Sequence, residues 1–115
     1  MSRYDEAEDA HIKGIELNPL NDTAHFNLGN LLAKAAVGRY SEAEAAYRKS
    51  IEINPLNDAP YHNLGILLEK DQNRHDEAEV VYRKAIQLNP LNADVHMKLF
   101  VLFNRIKRLF HRKHT

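Results

Sequence analysis

Few side chains in this 115-residue chain have the types and spacings that covalent chemistry needs. There is no cysteine, which excludes thiolate nucleophiles, thiolate metal sites and disulfides together and fits a cytoplasmic or nuclear compartment. Beyond Ser2, serine occurs only at Ser41 and Ser50, where the local pattern uses it as a helix start and as a small packing residue. No Gly-rich phosphate loop, Gly-x-Ser-x-Gly or His-Glu-x-x-His is present. Of seven histidines, only His111 and His114 have a ligand-like spacing on a helix, and they sit among the cations Arg112 and Lys113. No enzyme activity, cofactor or metal is therefore expected. What remains is amide chemistry. Asn27 and Asn63 recur in the same Asn-Leu-Gly setting, and an asparagine amide offers one group that donates and one that accepts. Such a pair is suited to holding a peptide backbone without reading its side chains.

The elements that position these residues repeat. Ile15-Glu16-Leu17-Asn18-Pro19-Leu20-Asn21-Asp22 returns as Ile51-Glu52-Ile53-Asn54-Pro55-Leu56-Asn57-Asp58, then as Ile86-Gln87-Leu88-Asn89-Pro90-Leu91-Asn92-Ala93. The prolines lie 36 and then 35 residues apart, and Glu6-Ala7-Glu8, Glu42-Ala43-Glu44 and Glu77-Ala78-Glu79 keep the same spacing. Each period reads as two helices. Apolar residues follow helical spacing, as in Ala43, Tyr47, Ser50, Ile51. Asn-Pro ends the helix, because proline biases the preceding residue away from the α region. Asp5, Ser41 and Asp76 each stand three residues before a glutamate, a capping-box pattern. Six helices are predicted, over 4–17, 22–36, 40–53, 58–71, 75–88 and 92–112, in one all-α domain spanning 1–115. Gly29 and Gly65 fall mid-helix, where glycine costs about 1 kcal/mol relative to alanine. Close approach of a facing helix at Ala43 and Ala78 is the expected compensation.

Composition is consistent with that reading. Hydrophobic residues make up 43% and charged residues 28%, ordinary for one folded domain. No apolar run reaches the ~20 residues of a membrane span. The start, Met1-Ser2-Arg3-Tyr4-Asp5-Glu6, has no secretory or transit pattern, so Asn21-Asp22-Thr23 reads as a helix start rather than a glycosylation site. The zero net charge hides a balance of −6 through Asp94 and +6 beyond it.

The series His25, Leu28-Gly29, Leu32, Ala43, Tyr47, Ser50, Pro55, repeated as Tyr61, Leu64-Gly65, Leu68, Ala78, Tyr82, Ala85, Pro90, resembles the tetratricopeptide repeat family. The Asn-Leu-Gly triplets are most similar to the superhelical arrays of O-linked sugar transferases. The resemblance implies a right-handed α–α superhelix: half a repeat, two full repeats and a final helix without its partner. Both periods exceed the family's usual length, so enlarged turns are expected around Ala36-Val37-Gly38 and Asp71-Gln72-Asn73. His25 and His96 share a packing position with Tyr61 and are expected in the core.

The resemblance also implies a function, the binding of another protein in a concave groove lined by the first helix of each pair. That face carries Phe26, Asn27, Asn30 and Lys34, then His62, Asn63, Ile66 and Lys70, then Met97, Lys98 and Val101. Asn30, Asn63 and Lys98 match three positions of the clamp by which some members grip acidic heat-shock-protein tails. Phe26 and Asp94 stand where that clamp is basic, and Asp94 would repel a carboxylate. The alternative is self-assembly as a homodimer through the last helix. There Val95, Leu99, Leu102, Ile106, Leu109 and Phe110 form a stripe that Phe100 and Phe103 widen beyond what one neighbour covers. Leu99, Phe100, Phe103, Ile106, Leu109 and Phe110 are the candidates for self-association. The acidic body argues against nucleic acid and against an anionic membrane surface.

Overall fold

The computed structural model describes residues 3–35 and 39–114. Within them the chain forms α1 (Arg3–Leu17), α2 (Asp22–Ala33), α3 (Tyr40–Ile53), α4 (Asp58–Glu69), α5 (His75–Leu88) and α6 (Ala93–His114). No strand occurs among the described residues. The six helices form a right-handed α–α superhelix of tetratricopeptide type, in which α2 pairs with α3 and α4 with α5. α1 packs on α2 as the second helix of a preceding pair, and α6 packs on α5 as the first helix of a following one. The array measures 53 × 31 × 20 Å.

Helix starts differ from the capping-box expectation in an informative way. α2 and α4 are capped by Asn21 and Asn57, whose side chains accept from the amides of Ala24 and Ala59 at 3.3 and 3.2 Å. Asn92 accepts similarly from Asp94 and Val95 at the start of α6. By contrast α3 and α5 begin after Arg39 and Arg74, with no side-chain cap, so Ser41 and Asp76 lie inside the first turn. Glu8 and Glu44 instead bind arginines across helices. Arg39 donates to both oxygens of Glu8 at 2.6 Å and also to Glu42, while Arg74 donates to both oxygens of Glu44 at 2.6 and 2.8 Å and also to Glu77. Each arginine thus staples the start of one second helix to the previous second helix, a planar fork matched to a carboxylate.

The core runs along the pairs as Leu32, Ala43, Tyr47, Leu64, Leu68, Ala78, Tyr82, Ala85, Val95 and Leu102. The glycines do admit close approach, but of rings rather than of Ala43 and Ala78. A Cβ on Gly29 would lie 2.7 Å from Tyr47 Cδ1, and one on Gly65 would overlap the Tyr82 ring. The extra residues of the second period form a short 3₁₀ turn, Gln72–Arg74, with Asp71 accepting from the Asn73 amide. α2 and α4 therefore end at Ala33 and Glu69, ahead of the predicted limits. Ala36-Val37-Gly38 lie outside the described residues. His25 is buried and Tyr61 half-buried, each bonded to the carbonyl of Pro19 or Pro55. His96 makes the same bond to Pro90 but is exposed, contrary to expectation, because α6 is packed on α5 alone among the described helices.

Candidate functional site

Two recesses open between neighbouring first helices. One, about 340 Å³, lies between α2 and α4 and is lined by Asn30, Ala33, Lys34, Tyr47, Asn63, Ile66, Leu67 and Lys70. The second, about 210 Å³, lies between α4 and α6 and is lined by Glu69, Asp94, Met97, Lys98, Val101 and Arg105. Of the groove residues expected from the sequence, Asn30, Lys34, Asn63, Ile66 and Lys70 come together in the first recess. Met97, Lys98 and Val101 come together in the second. Phe26, Asn27 and His62 line neither. Phe26 tilts against the Tyr47 ring with centroids 6.0 Å apart, Asn27 is exposed, and His62 packs 6.4 Å from the Tyr82 ring.

The floor of the first recess is a fixed hydrogen-bond relay. Asn30 Oδ1 accepts from the Tyr47 hydroxyl and from Asn63 Nδ2, both at 2.7 Å. A carbonyl oxygen accepts two such bonds and is then saturated. The Asn30 NH₂ and the Asn63 carbonyl oxygen have no such bond among the described residues, and both side chains line the recess. Burial pushes the Tyr47 phenol up to about 12, so it remains a donor at any ordinary pH. The pairing of Asn30 with Asn63 was not visible in the repeat, where Asn63 aligns with Asn27 and Asn30 with Ile66. Helical arithmetic still carries a signal: Asn27 and Asn30 are one turn apart and share one side of α2.

The rim of the first recess is cationic. Lys34 is exposed, and Lys70 Nζ sits 4.9 Å above the ring of Tyr40, a residue the sequence reading did not include. Ala33, Tyr47 and Leu67 were also missed, Tyr47 because the repeat assigned it to packing. The second recess is mixed in sign. Arg105 lies 3.5 Å from Glu69, and His62 Nε2 lies 3.5 Å from Asp94. Burial depresses the His62 imidazole, which Asp94 only partly offsets, so the ring is neutral near pH 7. The three clamp-like residues are therefore split, with Asn30 and Asn63 in one recess and Lys98 in the other beside Asp94.

The α6 candidates divide as well. Leu99 and Ile106 pack against the core, Leu109 is half-buried beside His75 and Arg105, and Phe100, Phe103 and Phe110 are exposed. Among the described residues no three of His, Asp and Glu gather as metal ligands. The side chain of His114 lies outside the described residues. Among the described residues no helix is long and apolar enough to cross a membrane.

Tetratricopeptide repeat models match residues 1–58 and 46–80. The chain belongs to the tetratricopeptide repeat family. No curated protein matches it in sequence. Among solved structures, the first tetratricopeptide domain of Spaghetti bound to the HSP90 peptide SRMEEVD superposes with a TM-score of 0.84 at 22% identity, over 91% of this chain and 81% of that one. MamA superposes at 0.79 with 23% identity, over 90% of this chain and 59% of that one. A mutant O-GlcNAc transferase of Thermobaculum terrenum superposes at 0.74 with 24% identity, over 83% of this chain but only 18% of the transferase. At these identities the likeness is one of fold.

Proposed function

We propose that this tetratricopeptide array is a protein-interaction scaffold whose recess between α2 and α4 holds an extended, acidic segment of another protein. The observation that carries the reading is the saturated Asn30 oxygen. It leaves the Asn30 NH₂ as a donor and the Asn63 carbonyl oxygen as an acceptor on side chains that line the recess, the complement of one peptide unit. Ile66 and Leu67 supply apolar floor, and Lys34 and Lys70 supply the positive rim that a nearby Asp or Glu of the partner would answer. The Spaghetti domain with its acidic HSP90 peptide is a precedent for such a segment on this fold. Asp94 and Glu69 weigh against a carboxylate in the second recess, so the acidic part of the segment belongs over α2 and α4.

The test is fluorescence anisotropy with labelled acidic heptapeptides, SRMEEVD among them, and matched peptides with Gln for Glu and Asn for Asp. Asn63→Ala and the double change Lys34→Ala/Lys70→Ala should each weaken binding by about tenfold, the worth of one hydrogen bond. Binding that neither variant alters would remove the recess from the proposal. A second reading, self-assembly through α6, is favoured by one observation, the joint exposure of Phe100, Phe103 and Phe110 on one helix.

A further inference from the structure

The two ends of the array are complementary in register, in charge and in side-chain size. Arg3, Arg39 and Arg74 occupy the same position of successive periods, as do Glu8, Glu44 and Glu79. Inside the array each arginine is paired with the glutamate of the preceding second helix, Arg39 with Glu8 and Arg74 with Glu44. One arginine and one glutamate of the series are left over. Arg3 is exposed and makes no ion pair among the described residues, while Glu79 meets only Arg83 of its own helix, at 3.0 Å. Arg48, the counterpart of Arg83, bridges Glu44 and Glu77. Arg83 has no such second carboxylate among the described residues, its guanidinium instead lying 5.1 Å from the Phe103 ring; the counterpart of the missing carboxylate is Glu6.

The packing faces tell the same story. Ala43, Ala46, Tyr47 and Ser50 of α3 are all buried, whereas their counterparts in α1 are a half-buried Ala7, an exposed Ala10, a half-buried His11 and an exposed Gly14. On α4, Gly65 and Leu68 are buried under α5, whereas their counterparts on α6, Phe100 and Phe103, are 63% and 41% exposed. Among the described residues α1 therefore packs as a second helix on α2 alone, and α6 as a first helix on α5 alone. Sizes are exchanged between the two. In the internal pairs a glycine on the first helix receives a tyrosine ring from the second. At the ends the first helix offers the large Phe100, and the second offers His11 with Gly14, around which a Cβ would meet nothing within 4 Å.

We infer that copies of this chain associate head to tail, with α1 of one copy completing a repeat on α6 of the next and Arg3 engaging Glu79 across the joint. The inference rests on the self-assembly reading above and narrows it from a symmetric dimer to a heterologous contact. Phe100 enters the space beside Gly14, and Arg83 gains Glu6. One internal bond has no equivalent at the joint. Asn54 and Asn89 donate to Asp22 and Asp58, but Ala93 stands at the third acceptor position. The joint therefore rests on the arginine pair and on apolar contact. A heterologous contact that continues the superhelix does not close on itself, so assembly continues past two copies.

The test is light scattering of the full chain over a range of concentrations, with charge reversal at each end. The wild-type mass should climb with concentration beyond twice 13.3 kDa. Arg3→Glu and Glu79→Arg should each lower the association constant by ~30-fold or more, as when one partner of a close interfacial pair is removed. Mixing the two single variants, or combining them in R3E/E79R, should restore assembly, because each joint then joins opposite charges. Circular dichroism of the single variants confirms that each is folded. A dimer that stops at two copies and ignores both reversals overturns the head-to-tail contact while leaving self-association through α6 standing. A monomer at every concentration overturns both.

Discussion

Replacing Gly65 with alanine places a methyl group inside the ring of Tyr82, with Cε1, Cδ1 and Cζ all closer than a Cβ tolerates. On helix propensity alone the change should stabilise α4 by about 1 kcal/mol. Tyr82 cannot yield easily, because it is fully buried and its hydroxyl donates to Glu69. Forcing the ring aside costs ~1–3 kcal/mol for overpacking and about 1 kcal/mol for the strained hydroxyl bond. The net expectation is a loss of roughly 2 kcal/mol. Gly14 supplies the control, since nothing surrounds its Cβ position within 4 Å. Gly14→Ala in dilute protein should therefore gain up to about 1 kcal/mol. The measurement is urea unfolding followed by far-ultraviolet circular dichroism. Gly65→Ala is also made in a Tyr82→Ala background, where the methyl group meets empty space and the substitution should turn favourable. If Gly65→Ala is as stable as wild type, or its effect is the same with and without Tyr82, the ring does not depend on that glycine and the packing argument fails.

Two further outcomes are expected from the polar contacts. Arg74 holds the Glu44 carboxyl down to about 2 by direct hydrogen bonding, so in the folded state that carboxylate stays ionised well below its ordinary range. Its depressed value means the stabilisation is complete above the ordinary carboxylate range and is lost as pH falls from there towards 2. With allowance for solvent screening the loss is on the order of 1–2 kcal/mol, and Glu44→Gln should flatten that part of a urea-midpoint profile against pH. Tyr47→Phe removes one of the two donors that orient Asn30, so acidic-peptide binding should weaken several-fold in anisotropy while the fold loses only about 1 kcal/mol.

Much of the architecture is written in local chemistry. Asn-Pro boundaries end helices wherever they occur, because proline's effect on the preceding backbone is steric and needs no tertiary partner. The 36- and 35-residue spacing then repeats one helix pair, so helix number, order and core faces follow from self-comparison. The arginine staples were also legible, since Arg39 and Arg74 recur in step with Glu8 and Glu44. The capping-box reading assigned those glutamates to local amides instead. Local patterns name a donor's nearest acceptor in sequence, whereas packing decides its nearest acceptor in space.

The candidate site depended on that second kind of information. Self-comparison pairs Asn27 with Asn63, because it finds residues related by translation along the array. Hydrogen bonds join residues that face each other across neighbouring helices, and these are out of register, Asn30 with Asn63. Likewise, helical spacing places Leu99 and Ile106 in one apolar stripe on α6 that Phe100 widens, without saying which of them a neighbour covers. Only the placement of α5 turns Leu99 and Ile106 inward and leaves Phe100 in solvent. The sequence determined which residues repeat and hence what each helix is. The tertiary structure decided which repeated groups find partners, because pairing depends on which helix lies alongside.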